Sequence, residues 1–192
     1  MDNRTNRGMT RRSSCSQAEG FAPSCPLSTC TEYIPPPRVI EANDTVFLDL
    51  GPVFDEWEPD VGRTYVMGHD PDKHRLCQDL PRVFDALKAY FDTHPDVTGA
   101  ELYAYAQRSA EEAGWLFGGV IAGHIVGEFP HAHIPGDKDL YRVSPANPER
   151  VRTPDALGQT KFWILEVHLV DRTRSCGGFY ERILVPADLV MA

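Results

Sequence analysis

Two apolar segments of this chain carry acids in their middles. In "KFWILEVHLV" (161–170), Glu166 stands between Leu165 and Val167. In "GFYERILV" (178–185), Glu181 follows Tyr180 and precedes Arg182. Both segments are rich in β-branched and aromatic residues, and "DRTRSCG" (171–177) between them has the composition of a turn, so they read as a hairpin. A carboxylate among apolar side chains is costly to bury unless something pairs with it. A hairpin centred on Thr173–Arg174 sets Glu166 directly across from Glu181, and like charges directly opposite destabilise a strand pair. The pattern recurs upstream. Asp49 interrupts the strand-like "TVFLDL" (45–50), and Asp60 precedes the return segment "VGRTYVM" (61–67). A hairpin centred on Phe54–Asp55 pairs Asp49 with Asp60, although Pro52 and Pro59 weaken that register. A fold that accommodates these residues must supply the acids with counter-charge.

Any one of these acids could pair with Arg63, Arg172, Arg174 or Arg182, since ion-pair networks also hold buried acids. Four acids together with a histidine-rich stretch point instead to bound cations. That stretch is "AGHIVGEFPHAHIP" (122–135), with His124, His131 and His133. Four carboxylates and one or two imidazoles form a hard, oxygen-rich set, which suits a pair of carboxylate-bridged divalent ions better than a thiolate-type structural zinc. His133 follows His131 by two positions, but the Glu that a cupin-type H-x-H pair requires a few residues on is absent from 134–140, so His133 reads as a loop or pocket residue. His168 lies two after Glu166, on the same strand face. It is either a residue that orients a ligand or a plain cross-strand neighbour.

The rest of the chain frames this set. Leu76, Leu80, Val83, Phe84, Leu87, Tyr90 and Phe91 recur at helical spacing, which predicts a helix over 71–93 that Pro81 kinks or restarts. "TGAE" (98–101) is a capping box opening a second helix to about Ala113, with Gly114 as its stop. Residues 136–160 read as a long loop. Residues 1–38, rich in Ser, Thr, Pro, Cys and Arg and ending in "IPPPR", show no regular period and read as a disordered tail and linker before a domain over 39–192. With 28 acidic against 19 basic residues the net charge is −9, which argues against nucleic acid as a partner. No run of 18 apolar residues predicts a membrane span, and the N-terminus lacks the apolar core of a secretory signal. Five cysteines without a paired spacing point to free thiols and a reducing, cytoplasmic setting.

In order and spacing these residues resemble the pita-bread metallopeptidases, the family of aminopeptidase P (Xaa-Pro aminopeptidase), prolidase and methionine aminopeptidase. "LDLG" matches its first Asp at Asp49, and "DVGRT" its second at Asp60, eleven later. "GHIVG" matches its Gly-His-x-x-Gly turn at His124. "ILEVH" and "YERI" match its two Glu at Glu166 and Glu181. Arg63-Thr64 is more similar to the aminopeptidase P and prolidase branch. The resemblance covers about residues 39–186. It implies an α+β fold, a curved antiparallel sheet with outer helices, and a site for two divalent ions (Mn, Co, Fe or Zn).

By the same resemblance, Asp49 would chelate one ion, Asp60 and Glu181 would bridge both, and His124 and Glu166 would complete the other. A bridging water would be the nucleophile. Glu166 would take its proton, and His131, seven positions after His124, would bond the substrate carbonyl. His168 and Arg63 would stand behind the ligands. The implied reaction is hydrolysis of the N-terminal peptide bond of short peptides, of Xaa-Pro type. The chain departs from the family in two respects. Only 48 residues precede Asp49, where the family has half of a pseudo-symmetric fold, so the chain reads as N-terminally truncated, with a sheet face that a second copy could cover in a homodimer. The Arg that the prolidase branch carries two positions before the last Glu is Phe179 here. The rival expectation is an inactive fragment that binds metal or peptide. A metal-free hydrolase like creatinase ranks last, because all the acid ligands are present.

Overall fold

The hairpin inferred from residues 161–185 is the middle of the sheet. In the computed structural model, which describes residues 10–17, 39–128, 138–173 and 175–185, β8 (Trp163–Val170) pairs antiparallel with β9 (Gly177–Leu184), and Glu166 stands opposite Glu181. The other strands are β1 (Thr10–Gln17), β2 (Thr45–Gly51), β4 (Val61–Val66), β5 (Leu116–Phe117) and β6 (Gly123–Ile125). The sheet runs β1-β2-β4-β9-β8-β5, with β6 also paired to β8. β3 (Trp57–Glu58) and β7 (Gly127–Glu128) form a separate two-stranded ribbon.

Every residue of β8 is buried, so both of its faces are covered. On one face lie α1 (Pro71–Thr93) and α2 (Gly99–Glu112). Leu76, Leu80, Val83, Phe84, Leu87 and Phe91 of α1 share a core with Leu102, Ala106 and Ala110 of α2, Leu165, Val167 and Leu169 of β8, and Tyr180 and Leu184 of β9. Because side chains alternate along a strand, the even-numbered residues of β8, Glu166 and His168 among them, project to the opposite face. Pro81 lies inside α1 without ending it. A proline in a helix interior costs about 3 kcal/mol, and burial of six large side chains on one stripe, each contributing about 1.5–3 kcal/mol, outweighs it. Asp70 caps α1 by accepting from the backbone N–H groups of Asp72 and Lys73, and Thr98 and Glu101 form the capping box of α2.

Three features differ from the sequence reading. The β2–β4 register is displaced by two residues, with Asp49 opposite Gly62 rather than Asp60. The turn centres on Asp55–Glu56, not Phe54–Asp55: both residues have positive φ (45° and 75°), and Phe54 and Trp57 exchange two backbone hydrogen bonds of 2.8 Å. This is the two-residue mirror-image turn whose twist matches a hairpin. Second, β1 arises inside the stretch read as tail and linker and pairs along β2, with Arg12 aligned to Asp49. An open strand edge offers backbone donors and acceptors whatever the side chains, so apolar alternation is not required of the strand that joins it. Third, "GHIVG" is not a turn: it supplies β6 and β7, two short strands.

Beyond the helices, the same face of β2 and β4 leaves Leu48, Val61 and Tyr65 exposed. Cys77 and Cys176 are free, half-buried thiols, and burial pushes Cys77 up to about 11. Among the described residues, no helix is long and apolar enough to cross a membrane.

Candidate metal centre

Across the face turned away from the helices, one row of paired positions runs over four strands: Asp49 to Gly62, Gly62 to Glu181, Glu181 to Glu166. Three of the four positions are carboxylates. Gly62 keeps the row open. A Cβ there would stand 2.0 Å from Phe179 Cε1, so only glycine lets that ring lie across β4. The backbone at Phe179 is anchored by Thr64, whose hydroxyl donates to the Phe179 carbonyl and accepts from its N–H, both at 2.8 Å.

His124 enters from β6. The preceding Gly123 has φ +145°, and a Cβ on it would meet the Ile164 carbonyl oxygen at 2.1 Å, so this close approach to β8 also requires glycine. The Nδ1–H of His124 donates to the Ile125 carbonyl at 2.9 Å, since that oxygen can only accept. This fixes the ring with Nε2 toward the acids. Nε2 lies 3.4 Å from Glu166 Oε1 and 3.6 Å from Asp60 Oδ2. One ligand atom each from Asp60, His124 and Glu181 lie within 4.8 Å of one another. Two metal–ligand bonds end to end span about 4–4.4 Å, so the 3.4 and 3.6 Å separations suit donors around a shared cation, and the trio lies close to that span. Carboxylate oxygens with one imidazole nitrogen suit a divalent ion of the Mn–Zn series. Asp60, Glu166 and Glu181 are buried, so water does little to offset their mutual repulsion and a cation between them would.

The structure therefore brings together Asp60, His124, Glu166 and Glu181. Asp49, half-buried, lies at the β2 end of the row, outside the tight trio. His168 is buried beside Glu166, with Nε2 3.1 Å from Glu166 Oε2. Arg63 does not join the site. It aligns with Tyr180, a core residue under α1, which places it on the helix side, where its guanidinium stacks near Tyr65. Its expected place behind the ligands fails because the adjacent Gly62, not Arg63, faces Glu181. His131 and His133 lie outside the described residues.

One acid escaped the sequence reading. Glu58 is only 2% exposed, and its Oε1 and Asp60 Oδ1 stand 2.7 and 2.9 Å from where a Cβ on Gly51 would be. The two carboxylates thus both lie over Gly51. The available signal was the i, i+2 spacing to Asp60 on extended chain, which places both on one face. The flanking Trp57 and Pro59 disguised it as loop.

The model of metallopeptidase family M24 matches residues 5–153. The chain belongs to metallopeptidase family M24. Glu166 and Glu181 fall beyond the matched residues, and the geometry above alone sets them beside Asp60 and His124. No curated protein matches the chain in sequence. Among solved structures, it resembles a prolidase from Thermococcus sibiricus (TM-score 0.61, 16% identity, 88% of this chain and 40% of that one). It also resembles methionine aminopeptidase from Thermotoga maritima (TM-score 0.52, 17% identity, 78% and 66%). A third likeness is the N-terminal domain of the FACT complex subunit SPT16 from chickpea (TM-score 0.62, 11% identity, 91% and 39%). At these identities the likeness is one of fold, and it is the pita-bread fold. This M24 chain spans about 40% of the prolidase's length.

Proposed function

We propose that this chain is a metallo-aminopeptidase that removes the N-terminal residue of short peptides, of Xaa-Pro type, with two divalent ions, manganese foremost, held by Asp49, Asp60, His124, Glu166 and Glu181. The observation that carries the reading is the convergence of Asp60, His124 and Glu181 within 4.8 Å in an M24 chain. Such ions would supply an acidified water and a polarised carbonyl at neutral pH. The chain's own groups do the rest. Asp60, just before β4, and Glu181, on the neighbouring β9, would hold the ions in common. Glu166 accepts the water's proton on its carboxylate. His131 donates a hydrogen bond to the substrate carbonyl as charge builds on its oxygen. We place the protein in the cytoplasm, given cysteines that lack a pairing pattern, and expect a homodimer through the exposed Leu48, Val61 and Tyr65 face.

Release of the N-terminal residue from Xaa-Pro dipeptides and tripeptides after Mn²⁺ loading tests the reading, with Asp60→Asn as control. We expect release by the wild type and none by the variant. A folded, metal-bound and inert wild type overturns the enzymatic part and leaves the second reading, a metal- or peptide-binding fragment.

A further inference from the structure

We propose that His168 is a positioning residue. It clamps one oxygen of Glu166, so that the other is turned to the cation pocket. The inference rests on the metal-centre reading above. Glu166 divides its two oxygens. Oε1 faces His124 Nε2 at 3.4 Å, and Oε2 meets His168 Nε2 at 3.1 Å. An ionised carboxylate can only accept, so His168 Nε2 carries the proton and donates.

His168 is itself held on several sides. Its ring lies 4.9 Å from the Phe179 ring at 35° and meets the Phe117 ring edge-on at 6.3 Å. Its Cδ2 lies 2.8 Å from where a Cβ on Gly119 would stand, and the residue is 4% exposed. Phe179, the cross-strand partner of His168, is in turn packed against Phe47 and over Gly62. A rigid donor of this kind removes the rotational freedom of Glu166 before any ion arrives. It also gives Phe179 a function: in place of a cation beside the last Glu, this chain has an apolar wall that fixes the imidazole.

A carboxylate with one oxygen tied down presents a single oxygen to a cation. Groups that orient metal ligands in this way are commonly worth 10–100-fold in metal affinity. The test is Mn²⁺ titration calorimetry on the full chain, comparing wild type, His168→Phe and His168→Gln. We expect His168→Phe to bind Mn²⁺ about 10–100-fold more weakly, and His168→Gln, which keeps an N–H donor, to recover most of the loss. An unchanged thermal midpoint without metal in His168→Gln separates positioning from packing. If His168→Phe fails to fold, long-range ¹H–¹⁵N correlation of the wild-type imidazole decides alone: the Nε2-protonated tautomer supports the proposal and the Nδ1-protonated one overturns it. Wild-type binding with His168→Phe within twofold overturns this inference but leaves the metal centre standing. Absence of binding by the wild type overturns both.

Discussion

The molecule contains two acid-bearing hairpins, and they solve their registers differently. β8–β9 is buried along the whole of β8, so a slip of one residue would turn Leu165, Val167 and Leu169 out of the core. Its acids therefore face each other as symmetry requires. β2–β4 has an exposed face at Leu48, Val61 and Tyr65 and draws on that constraint from its other face alone, at Gly62 and Thr64. Its register is set by the turn at Asp55–Glu56, and Asp49 ends opposite a glycine. A buried hairpin is positioned by its side chains, whereas a half-exposed one is positioned by its turn. The tight trio draws on both hairpins: Glu181 comes from the buried one and Asp60, just before β4, from the half-exposed one, with His124 of β6 between them.

The comparison can be sharpened first at the acids. Asp60→Asn or Glu181→Gln should lower peptide hydrolysis by about a thousandfold, the several kcal/mol that ion-borne charge stabilisation contributes. Glu128→Gln, an exposed acid on β7, should leave the rate unchanged. Steady-state kcat/KM on an Xaa-Pro dipeptide measures both. Comparable losses in the two classes would make the site a surface of acids and nothing more.

Next come the cores of the two hairpins. Leu165→Ala should cost about 2–5 kcal/mol in urea unfolding at any protein concentration, and Leu48→Ala, 42% exposed in the single chain, within about 0.5 kcal/mol at dilutions where the chain is monomeric. A cost at Leu48 that grows with protein concentration is what the proposed homodimer predicts.

The facing acids offer a test by sign. Without metal, Glu181→Gln should stabilise the chain by about 0.2–1 kcal/mol, by removing the like-charge pair with Glu166. With Mn²⁺ at about 100 times its Kd, the wild type should gain about 2.7 kcal/mol and the variant much less. Thermal melts with and without chelator report both. The smallest effect is at the turn. Glu56 has φ +75°, and Glu56→Gly should stabilise the protein by only about 0.5 kcal/mol, because relief of the left-handed strain, about 1–2 kcal/mol, is largely offset by glycine's greater freedom in the unfolded chain.

The β8–β9 pairing, both helices and the Thr98 capping box were legible in the sequence because each has a local cause: apolar periodicity, a cap, a turn. So was the facing of Glu166 and Glu181, because acids in apolar strands stand out; Asp60 and His124 were set beside them by the family resemblance. What was not legible depended on partners distant in sequence. The strand at Thr10–Gln17 exists by virtue of the β2 edge and has no pattern of its own. The slip of Asp49 depends on two non-glycine residues adopting positive φ, which their identities do not announce. Glu58 is buried by folding of β3 onto β7, a contact between residues about seventy positions apart. Arg63 was drawn to the site by the resemblance of Arg63-Thr64 to the prolidase branch, yet strand alternation places it on the other face.

The central claim, that the carboxylate row and His124 hold divalent ions, is tested most directly by elemental analysis of the chain after Mn²⁺ loading and desalting. Metal should be retained by the wild type and lost in Asp60→Asn with the fold intact. A folded wild type that retains none of Mn, Co, Fe or Zn would contradict it.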